Sequence, residues 1–262
     1  MTPDRERQFL ARHSAHDYRA LVDTWRRLAN YAKADCGLFA AAHHFPIFWL
    51  GKSGDARLPA LYLSAGIHGD EPASVWGLVE WARTRLAKQR RTYLIFPCLN
   101  PWGLVNNRRD DGRGRDMNRG FTHPMPAIQR RWTRVLNTRM AGQKFHTAVC
   151  LHEDYDARGL YCYELYRRGQ PSLANTAMAA AETVLPRDKR TSIEGSRAHN
   201  GLIRRNVLPE MPGAPEAFAL FNDWAWQVHT FETPSEFSFY TRVQAHNYYL
   251  HAIENAIEAC RT

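Results

Sequence analysis

Short apolar runs alternate with longer amphipathic stretches along most of this chain. Apolar runs of about four to eight residues are typical of buried strands, and apolar residues three and four positions apart are typical of helices. The pattern predicts strands at 38–42, 47–50, 61–65, 92–98, 144–151, 161–166 and 224–231, and helices at 17–34, 73–87, 129–138, 173–185 and 241–260. This alternation predicts an α/β fold in which helices cover both faces of one sheet.

Three polar stretches interrupt the alternation. Residues 100–103 predict a turn, and residues 106–120 have no apolar face, so a loop is expected there. A solvated insertion is the alternative, but arginine-bearing loops beside the carboxyl end of a strand are where α/β proteins bind ligands. Residues 186–223 are rich in Pro, Gly and charge, which predicts a long connection with short elements that acts as a lid.

The length and composition favour one globular unit. A chain of 262 residues is long enough for one large α/β domain, and we expect a single domain over residues 1–262. Apolar residues make up 44% of the chain, yet no run approaches the roughly 18 consecutive apolar residues of a membrane span. No apolar segment follows the charged N-terminus, so we expect no secretory signal. A soluble, cytoplasmic protein with no membrane partner is the expectation.

The cysteines do not form a recognisable chemical pattern. They are odd in number, scattered and without a Cys-x-x-Cys pair, which argues against a disulfide framework and against a thiolate zinc site. We expect them to be reduced core residues. They are Cys36, Cys98, Cys150, Cys162 and Cys260.

The net charge of +9 comes from arginines spread along the chain, with a local concentration between residues 108 and 119. A basic balance can indicate nucleic-acid binding, but no nucleic-acid motif accompanies it. Basic groups that converge on a cleft would instead attract a carboxylate. The charge therefore favours a small anionic substrate and no nucleic acid.

One stretch, residues 61–74, combines a strand, a glycine turn and a helix start. It places His68 and Glu71 three residues apart, and such a pair alone occurs by chance in many proteins. Here, however, Gly66 and Gly69 stand where the chain must turn tightly, and Pro72 suits the first turn of a helix. An imidazole and a carboxylate are both good zinc ligands, so this turn predicts part of a metal site.

A catalytic zinc site needs a third protein ligand and a position left for water. His152 ends a second apolar strand, at residues 144–151, and would reach the same edge of the sheet. His68, Glu71 and His152 are therefore the predicted metal ligands.

Four segments of the chain resemble the zinc carboxypeptidases of the carboxypeptidase A type, together with their aspartoacylase and succinylglutamate desuccinylase relatives. The segments are His68-Gly-Asp-Glu71, Asp116-Met-Asn-Arg119, His152 and Thr230-Phe-Glu-Thr-Pro234, in the family's order. The likeness covers residues 15–260, essentially the whole chain. It implies a three-layer domain with a mixed, mostly parallel twisted sheet, and one zinc ion as cofactor.

The same resemblance implies roles for further residues. Glu232 would be the general base that moves a proton from water to the leaving nitrogen, and Asn118 with Arg119 would bind the substrate's carboxylate. An arginine slightly upstream would stabilise the oxyanion. Arg109 is the choice for that role, with Arg113 close enough in sequence to compete. Arg108 is an alternative for the oxyanion and a candidate substrate-binding residue.

Some features depart from the family or compete with the proposed ligands. The family has a tyrosine about twenty residues before its base, whereas residues 208–215 contain none, which puts a tyrosine-assisted mechanism in doubt. Glu153 and Asp154 follow His152 and could hold its imidazole or repel an anionic substrate. His229 forms a second His-x-x-Glu pair with Glu232, but the two side chains would point to opposite faces of a strand, so a structural role is expected for His229.

The remaining histidines give no metal site by their spacing. His43 and His44 would face opposite ways on a strand, and the pair on the last helix is poorly aligned for one ion. We expect all of them to be surface or partly buried residues. They are His43, His44, His123, His199, His246 and His251.

Three hypotheses about function follow. The favoured one is a zinc-dependent carboxypeptidase-like hydrolase that cleaves an amide next to a free carboxylate. The second is an N-acyl amino acid deacylase of the aspartoacylase type, and the third is a non-catalytic binding module. The expected partner is thus a small peptide or an N-acyl amino acid with a free carboxylate, and the sequence does not give the oligomeric state.

Overall fold

A mixed eight-stranded sheet forms the centre of the molecule, for which a computed structural model describes residues 8–9, 14–169 and 171–259. In chain order the strands are β1 (Asp35–Ala42), β2 (Phe45–Lys52), β3 (Leu61–Ala65), β4 (Tyr93–Phe96), β5 (Phe145–Asp154), β6 (Tyr161–Tyr166), β7 (Ser192–Ile193), β8 (Ser196–Arg197), β9 (Leu202–Arg205) and β10 (Ala225–Pro234). The large sheet has the order β1-β2-β4-β3-β5-β10-β6-β9, and β7 pairs with β8 in a separate hairpin.

Most pairings in the large sheet are parallel. Strand β3 runs parallel to β4 and β5, β5 parallel to β10, and β6 parallel to β9. The pairs β1–β2, β2–β4 and β6–β10 are antiparallel. Because β3, β5 and β10 run in one direction side by side, the residues at their carboxyl ends meet at one edge of the sheet.

Helices cover both faces of this sheet. They are α1 (Tyr18–Ala32), α2 (Pro72–Arg85), α3 (Pro101–Asn106), α4 (Ala127–Arg139), α5 (Leu173–Ala181), α6 (Glu216–Ala219) and α7 (Phe239–Ala259). Short 3₁₀ turns occupy Leu86–Lys88 and Met117–Arg119, and a π turn occupies Leu220–Trp224.

The core is split between the two faces by strand alternation. Leu61 and Leu63 of β3 pack in one apolar cluster with α1, α2, α5 and α7, whereas Tyr62 packs in the other cluster with α4 and α6. This arrangement confirms the predicted α/β class with a mixed, mostly parallel sheet between helical layers.

Two local predictions were wrong: one stretch predicted as a turn begins a helix, and one pair predicted on a strand forms a turn. Residues 100–103, predicted as a turn, begin α3: the Asn100 side chain accepts a hydrogen bond from the Gly103 N–H at 2.9 Å, and Pro101 takes the first helical position. His43 and His44, predicted on a strand, form the turn between β1 and β2, with φ of 49° and 74°.

The burial of two further residues differs from the prediction. His246, expected to be a surface or partly buried residue, is fully buried beside Thr233, whose hydroxyl lies 3.2 Å from its Nε2. Cys98, Cys150 and Cys162 are buried as expected, but Cys36 is exposed. Cys260, also expected in the core, lies outside the described residues.

Residues 186–223 form a long connection with short elements, as predicted, and they contain an unpredicted sheet strand. Strand β9 adds to the edge of the large sheet beside β6. Its role as a lid stays a prediction. Within the described ranges, no helix combines the length and apolar character needed to cross a bilayer.

Candidate metal centre and cleft

The loop after β3 is shaped by glycines. Gly66 has φ of +62°, a left-handed conformation that side chains other than glycine rarely adopt. At Gly69 an added Cβ would lie 1.9 Å from the carbonyl carbon of Gly103 in α3, so only glycine allows this close approach. Pro72 then begins α2 at its first turn. The loop therefore holds His68 and Glu71 between β3 and α2, as the sequence predicted.

Three buried side chains from two strand ends converge at this loop. Ligand atoms of His68, Glu71 and His152 all lie within 4.8 Å of one another. His68 Nδ1 is 2.5 Å from Glu71 Oε1, and His152 Nδ1 is 3.0 Å from Glu71 Oε2. All three residues are at most 3% exposed. The predicted ligands are thus brought to one point.

Asp116 supports this cluster from the loop between α3 and α4. Its Oδ1 lies 3.1 Å from His68 Nε2, and its Oδ2 accepts a hydrogen bond from Arg109 at 3.0 Å. A carboxylate on the far nitrogen of a ligating imidazole fixes its tautomer and orientation. Asp116 belongs to the segment Asp116-Met-Asn-Arg119, but the sequence alone did not indicate a role for it.

The charges of the cluster shift its pKa values. Burial alone would raise the pKa of Glu71, but His68 and His152 outweigh it and lower this pKa to about 2. Burial would lower the pKa of His68, yet Glu71 and Asp116 raise it to about 9. The carboxylate is therefore ionised and is stabilised by positive charge on its neighbours.

The donor set fits a divalent cation. Glu71 Oε2 is buried without a hydrogen-bond partner among the described residues, although His152 lies close to it. An unpartnered buried carboxylate oxygen is costly in a folded protein. A cation held by two imidazole nitrogens and this carboxylate would satisfy it, and two nitrogens with one oxygen is a common zinc set.

Glu232 lies next to these residues on β10. It pairs in register with His152 of β5, and side chains paired across strands project to the same face. Burial raises the pKa of Glu232 to about 8, with Glu71 and Asp154 adding to the rise and His152 opposing it. Glu232 is thus a carboxylate outside the metal-binding cluster that lines the same cavity as His68, Glu71 and His152.

Asn118 and Arg119 also line this cavity. The amide oxygen of Asn118 accepts a hydrogen bond from the backbone N–H of Glu216 at 2.8 Å, which fixes the side chain. An Arg119 nitrogen donates to the Asn118 carbonyl at 3.0 Å.

The loop arginines separate clearly in space. Arg109 lines the cavity and places NH1 3.6 Å from Glu71 Oε1. Arg108 does not line it, because its guanidinium turns outward and pairs with Asp110 at 2.8 Å, with the side chain 60% exposed. This outward position argues against the predicted substrate-binding role of Arg108. Arg113 lines a neighbouring depression and not the cavity.

The acidic residues after His152 do not hold its imidazole. The Glu153 carboxylate accepts a hydrogen bond from the Ala73 N–H at 2.5 Å and pairs with Arg242, so it anchors the start of α2. Asp154 accepts a hydrogen bond from the Tyr161 hydroxyl at 2.9 Å.

His229 lies on the opposite face of β10 from the cavity. Its Nδ1 is 2.9 Å from the Tyr249 hydroxyl, and its Nε2 is 3.4 Å from Glu164. It is fully buried in this network. The expected structural position of His229 is therefore found.

The cavity extends well beyond the metal-binding cluster and has a volume of about 440 Å³. Strand β6 contributes Tyr161, Tyr163 and Leu165, which alternate along one of its faces. The connection at 186–223 contributes Glu194, Ser196, Arg205, Pro209, Met211 and Pro215. These cavity residues were not predicted. The alternation at 161–165 is visible in the sequence, but strand β9, which pairs with β6, is not.

Comparison with known proteins agrees with this geometry. The family model of the succinylglutamate desuccinylase/aspartoacylase catalytic domain matches residues 57–211, more than half of the chain. The chain belongs to this family. It is thereby a member of the zinc carboxypeptidase-like group that includes the desuccinylase and aspartoacylase relatives, as the sequence motifs indicated. No curated protein matches the sequence.

Solved structures show the same fold. A predicted metallopeptidase from Shewanella amazonensis superposes with a TM-score of 0.83 at 20% identity, over 93% of this chain and 94% of that chain. A similar protein from Shewanella denitrificans gives 0.82 at 21% identity, over 92% and 91%. Carboxypeptidase A from Helicoverpa armigera gives 0.67 at 14% identity, over 94% and 75%. Together with the family, these likenesses support a hydrolase of this superfamily.

Proposed function

We propose that this protein is a zinc-dependent hydrolase that cleaves an amide bond adjacent to a free carboxylate. The observation that carries the proposal is the convergence of His68, Glu71 and His152 within 4.8 Å, in a cavity that also contains Glu232. Family membership supports hydrolase chemistry. The alternative of a non-catalytic binding module gains no support from a cavity that contains the three predicted ligands together with Glu232, Arg109, Asn118 and Arg119.

His68, Glu71 and His152 would hold one zinc ion. Zinc bound by three such ligands supplies an acidified water and polarises a carbonyl. The buried Glu71 carboxylate carries the negative charge of this ligand set. Asp116 orients His68 through the imidazole nitrogen Nε2, which faces away from Glu71.

Glu232 would act as the general base. A base must lie within hydrogen-bond reach of the attacking water and must have a pKa near the working pH. Burial brings the pKa of Glu232 to about 8 in the metal-free protein, and its register with His152 places it beside the cluster. Its carboxylate would accept the proton of water and deliver it to the leaving nitrogen.

Arg109, Asn118 and Arg119 would orient the substrate. Arg109 lies close to the cluster, so its guanidinium suits a developing oxyanion, which needs a fixed donor in the cavity. Asn118 uses its amide oxygen internally, which leaves its NH₂ group to donate. With Arg119 it would bind the free carboxylate of the substrate, because guanidinium geometry matches carboxylates.

The substrate is either a peptide with a free C-terminus or an N-acyl amino acid. Carboxypeptidases among the structural neighbours favour the first, and the family model at residues 57–211 favours the second. Both substrates present an amide next to a carboxylate, so the same residues serve both.

The test is a paired assay on zinc-loaded protein, with benzoyl-glycyl dipeptides in one series and N-acetyl and N-succinyl amino acids in the other. Hydrolysis of the peptides is expected, and Glu232→Gln should lower kcat about 100- to 10,000-fold, the usual contribution of a general base. Glu236→Gln is the matched control, since Glu236 is an exposed carboxylate just past the end of β10, four residues from Glu232. Its activity should be unchanged.

Hydrolysis of the N-acyl series alone would assign the protein as a deacylase. Failure of stoichiometrically zinc-loaded protein to hydrolyse either series would contradict the proposal.

A further inference from the structure

A buried acid lies behind one wall of the cavity. Glu216 begins α6, and the next two residues, Ala217 and Phe218, line the cavity. Glu216 itself does not line it and is 1% exposed. Its carboxyl group accepts a hydrogen bond from the Ser64 hydroxyl at 3.0 Å and another from the Tyr62 hydroxyl. The side chain therefore points away from the cavity and anchors α6 to β3.

This carboxyl group is held by neutral donors. Tyr62 and Ser64 are alternate residues of β3, so both project from the same face of the strand. The Tyr62 hydroxyl also accepts a hydrogen bond from Trp132 Nε1 of α4 at 2.9 Å, which fixes its position. In the ranges that the structure describes, no lysine or arginine forms an ion pair with Glu216. Burial of an acid without a cation costs free energy, and such costs are typical of functional sites.

The backbone N–H of the same residue determines which way the Asn118 amide faces. This N–H donates a hydrogen bond to Asn118 Oδ1 at 2.8 Å. A backbone N–H can only donate, so it selects the oxygen of the amide and turns Nδ2 away from itself. Asn118 lines the cavity, and no described residue accepts a hydrogen bond from its Nδ2. The amide is therefore held as a donor for a ligand.

The chain just before Glu216 also packs on the segment that contains Asn118. The Phe121 N–H donates a hydrogen bond to the Ala214 carbonyl at 3.1 Å. Gly120 and Ala214 form a parallel bridge at the same place. A displacement of Glu216 would therefore be transmitted directly to the residues that line the cavity.

We propose that Glu216 is a positioning residue for binding of the substrate's carboxylate. Its carboxyl group, held by Tyr62 and Ser64, fixes the backbone N–H that orients the Asn118 amide. The inference rests on the proposed function, in which Asn118 binds that carboxylate. Without this anchor the amide can rotate and present its oxygen, which only accepts hydrogen bonds and repels a carboxylate.

The experiment compares Glu216→Ala, Asn118→Ala and the double variant as zinc-loaded proteins on the best substrate of the paired assay. Glu216→Ala should raise KM about 10- to 100-fold, the usual size of one hydrogen bond to a charged group, with kcat within about threefold. In the Asn118→Ala background the same change should add less than about twofold, because the amide that Glu216 orients is already absent. Zinc content should stay at one ion per chain in every variant.

Ser64→Ala is a milder second variant, in case Glu216→Ala does not fold. It removes one of the two donors to the carboxyl group and should raise KM by a smaller factor, about 2- to 10-fold. Glu210→Ala is the matched control, because Glu210 is an exposed glutamate of the same connection that does not line the cavity. Its KM should be unchanged. Effects on KM that multiply in the double variant, or a loss confined to kcat, would overturn the inference.

Binding separates this inference from the proposed function. Dissociation constants of N-benzoylglycine and of its amide, which lacks the carboxylate, are measured by calorimetry on zinc-loaded protein. The wild type should bind the acid more tightly, and Glu216→Ala should reduce this preference while leaving the affinity for the amide unchanged. That result in a protein that hydrolyses neither substrate series would sustain the positioning role and refute the hydrolase. Hydrolysis with a KM that Glu216→Ala leaves unchanged would do the reverse.

Discussion

At the scale of single residues, Glu71 organises the charges of the site. It is 2% exposed, yet it faces His68, His152 and Arg109 within 3.6 Å. Such a buried carboxylate is tolerated only because positive groups surround it. Asp116, farther from the metal-binding cluster, likewise contacts both His68 and Arg109. These two acids tie the arginine to the metal-binding cluster.

This arrangement predicts very different effects for two adjacent arginines. Arg109→Gln should lower kcat about 100- to 1,000-fold, because one fixed donor to an oxyanion contributes that much. Arg108→Gln should stay within about twofold, because Arg108 is paired with Asp110 outside the cavity. Steady-state kinetics on the best substrate measures both, with zinc content as the check that the site is intact. Equal losses in the two variants would refute the assignment.

At the scale of elements, the alternation of side chains along a strand puts cavity residues on one face of the sheet and structural residues on the other. On β10, Glu232 faces the cavity, whereas His229 faces the opposite layer. On β6, Glu164 shares that opposite face and accepts hydrogen bonds from Ser172 at 2.9 Å and from the Ala174 N–H at 3.1 Å. It therefore ties α5 to the sheet behind the cavity.

Glu164 should make stability depend on pH. Burial would raise its pKa, but His229, the Ala174 N–H and Arg204 lower it from 4.5 to about 2. The ionised carboxylate thus stabilises the fold above pH 4.5, and this contribution is lost as the pH falls toward 2. Glu164→Gln should lower the free energy of unfolding by about 3 kcal/mol at pH 7, the usual loss for a broken buried pair.

Urea unfolding of the metal-free wild type and variant, from pH 7 down to pH 3, measures this difference. The gap between the two proteins should narrow below about pH 4.5. Asp23→Asn is the control, since Asp23 is 48% exposed and its partner Arg26 is 65% exposed, and it should cost well under 1 kcal/mol. A gap that stays constant down to pH 3 would show that Glu164 is not the titrating group.

At the scale of the whole molecule, the topology joins residues that are far apart in sequence. His68 follows β3, His152 lies on β5 and Glu232 lies on β10, and these three strands are parallel neighbours. Their carboxyl ends therefore meet at one edge of the sheet, which is where open α/β sheets bind ligands. The cavity at this edge also collects Arg109, from the loop after α3.

The parts of this picture that depend on local sequence could be predicted. The glycine loop at 66–69, the strand ending near His152 and the alternating layers all follow from nearby residues. The parts that depend on register or side-chain direction could not. Strand β9, and with it Arg205, was hidden in a polar connection, because four residues at a sheet edge leave no clear alternation. Arg108 and Arg109 are adjacent in sequence, and only the conformation of the folded loop determines that Arg109 points into the cavity and Arg108 points away from it.

The central claim is that His68, Glu71 and His152 bind one zinc ion, and its most direct test is an anomalous difference map from zinc-grown crystals at the zinc absorption edge. The account predicts one strong peak at about 2.0–2.2 Å from His68 Nδ1, His152 Nδ1 and a Glu71 carboxylate oxygen. A map without that peak, or with the zinc bound elsewhere, would contradict it.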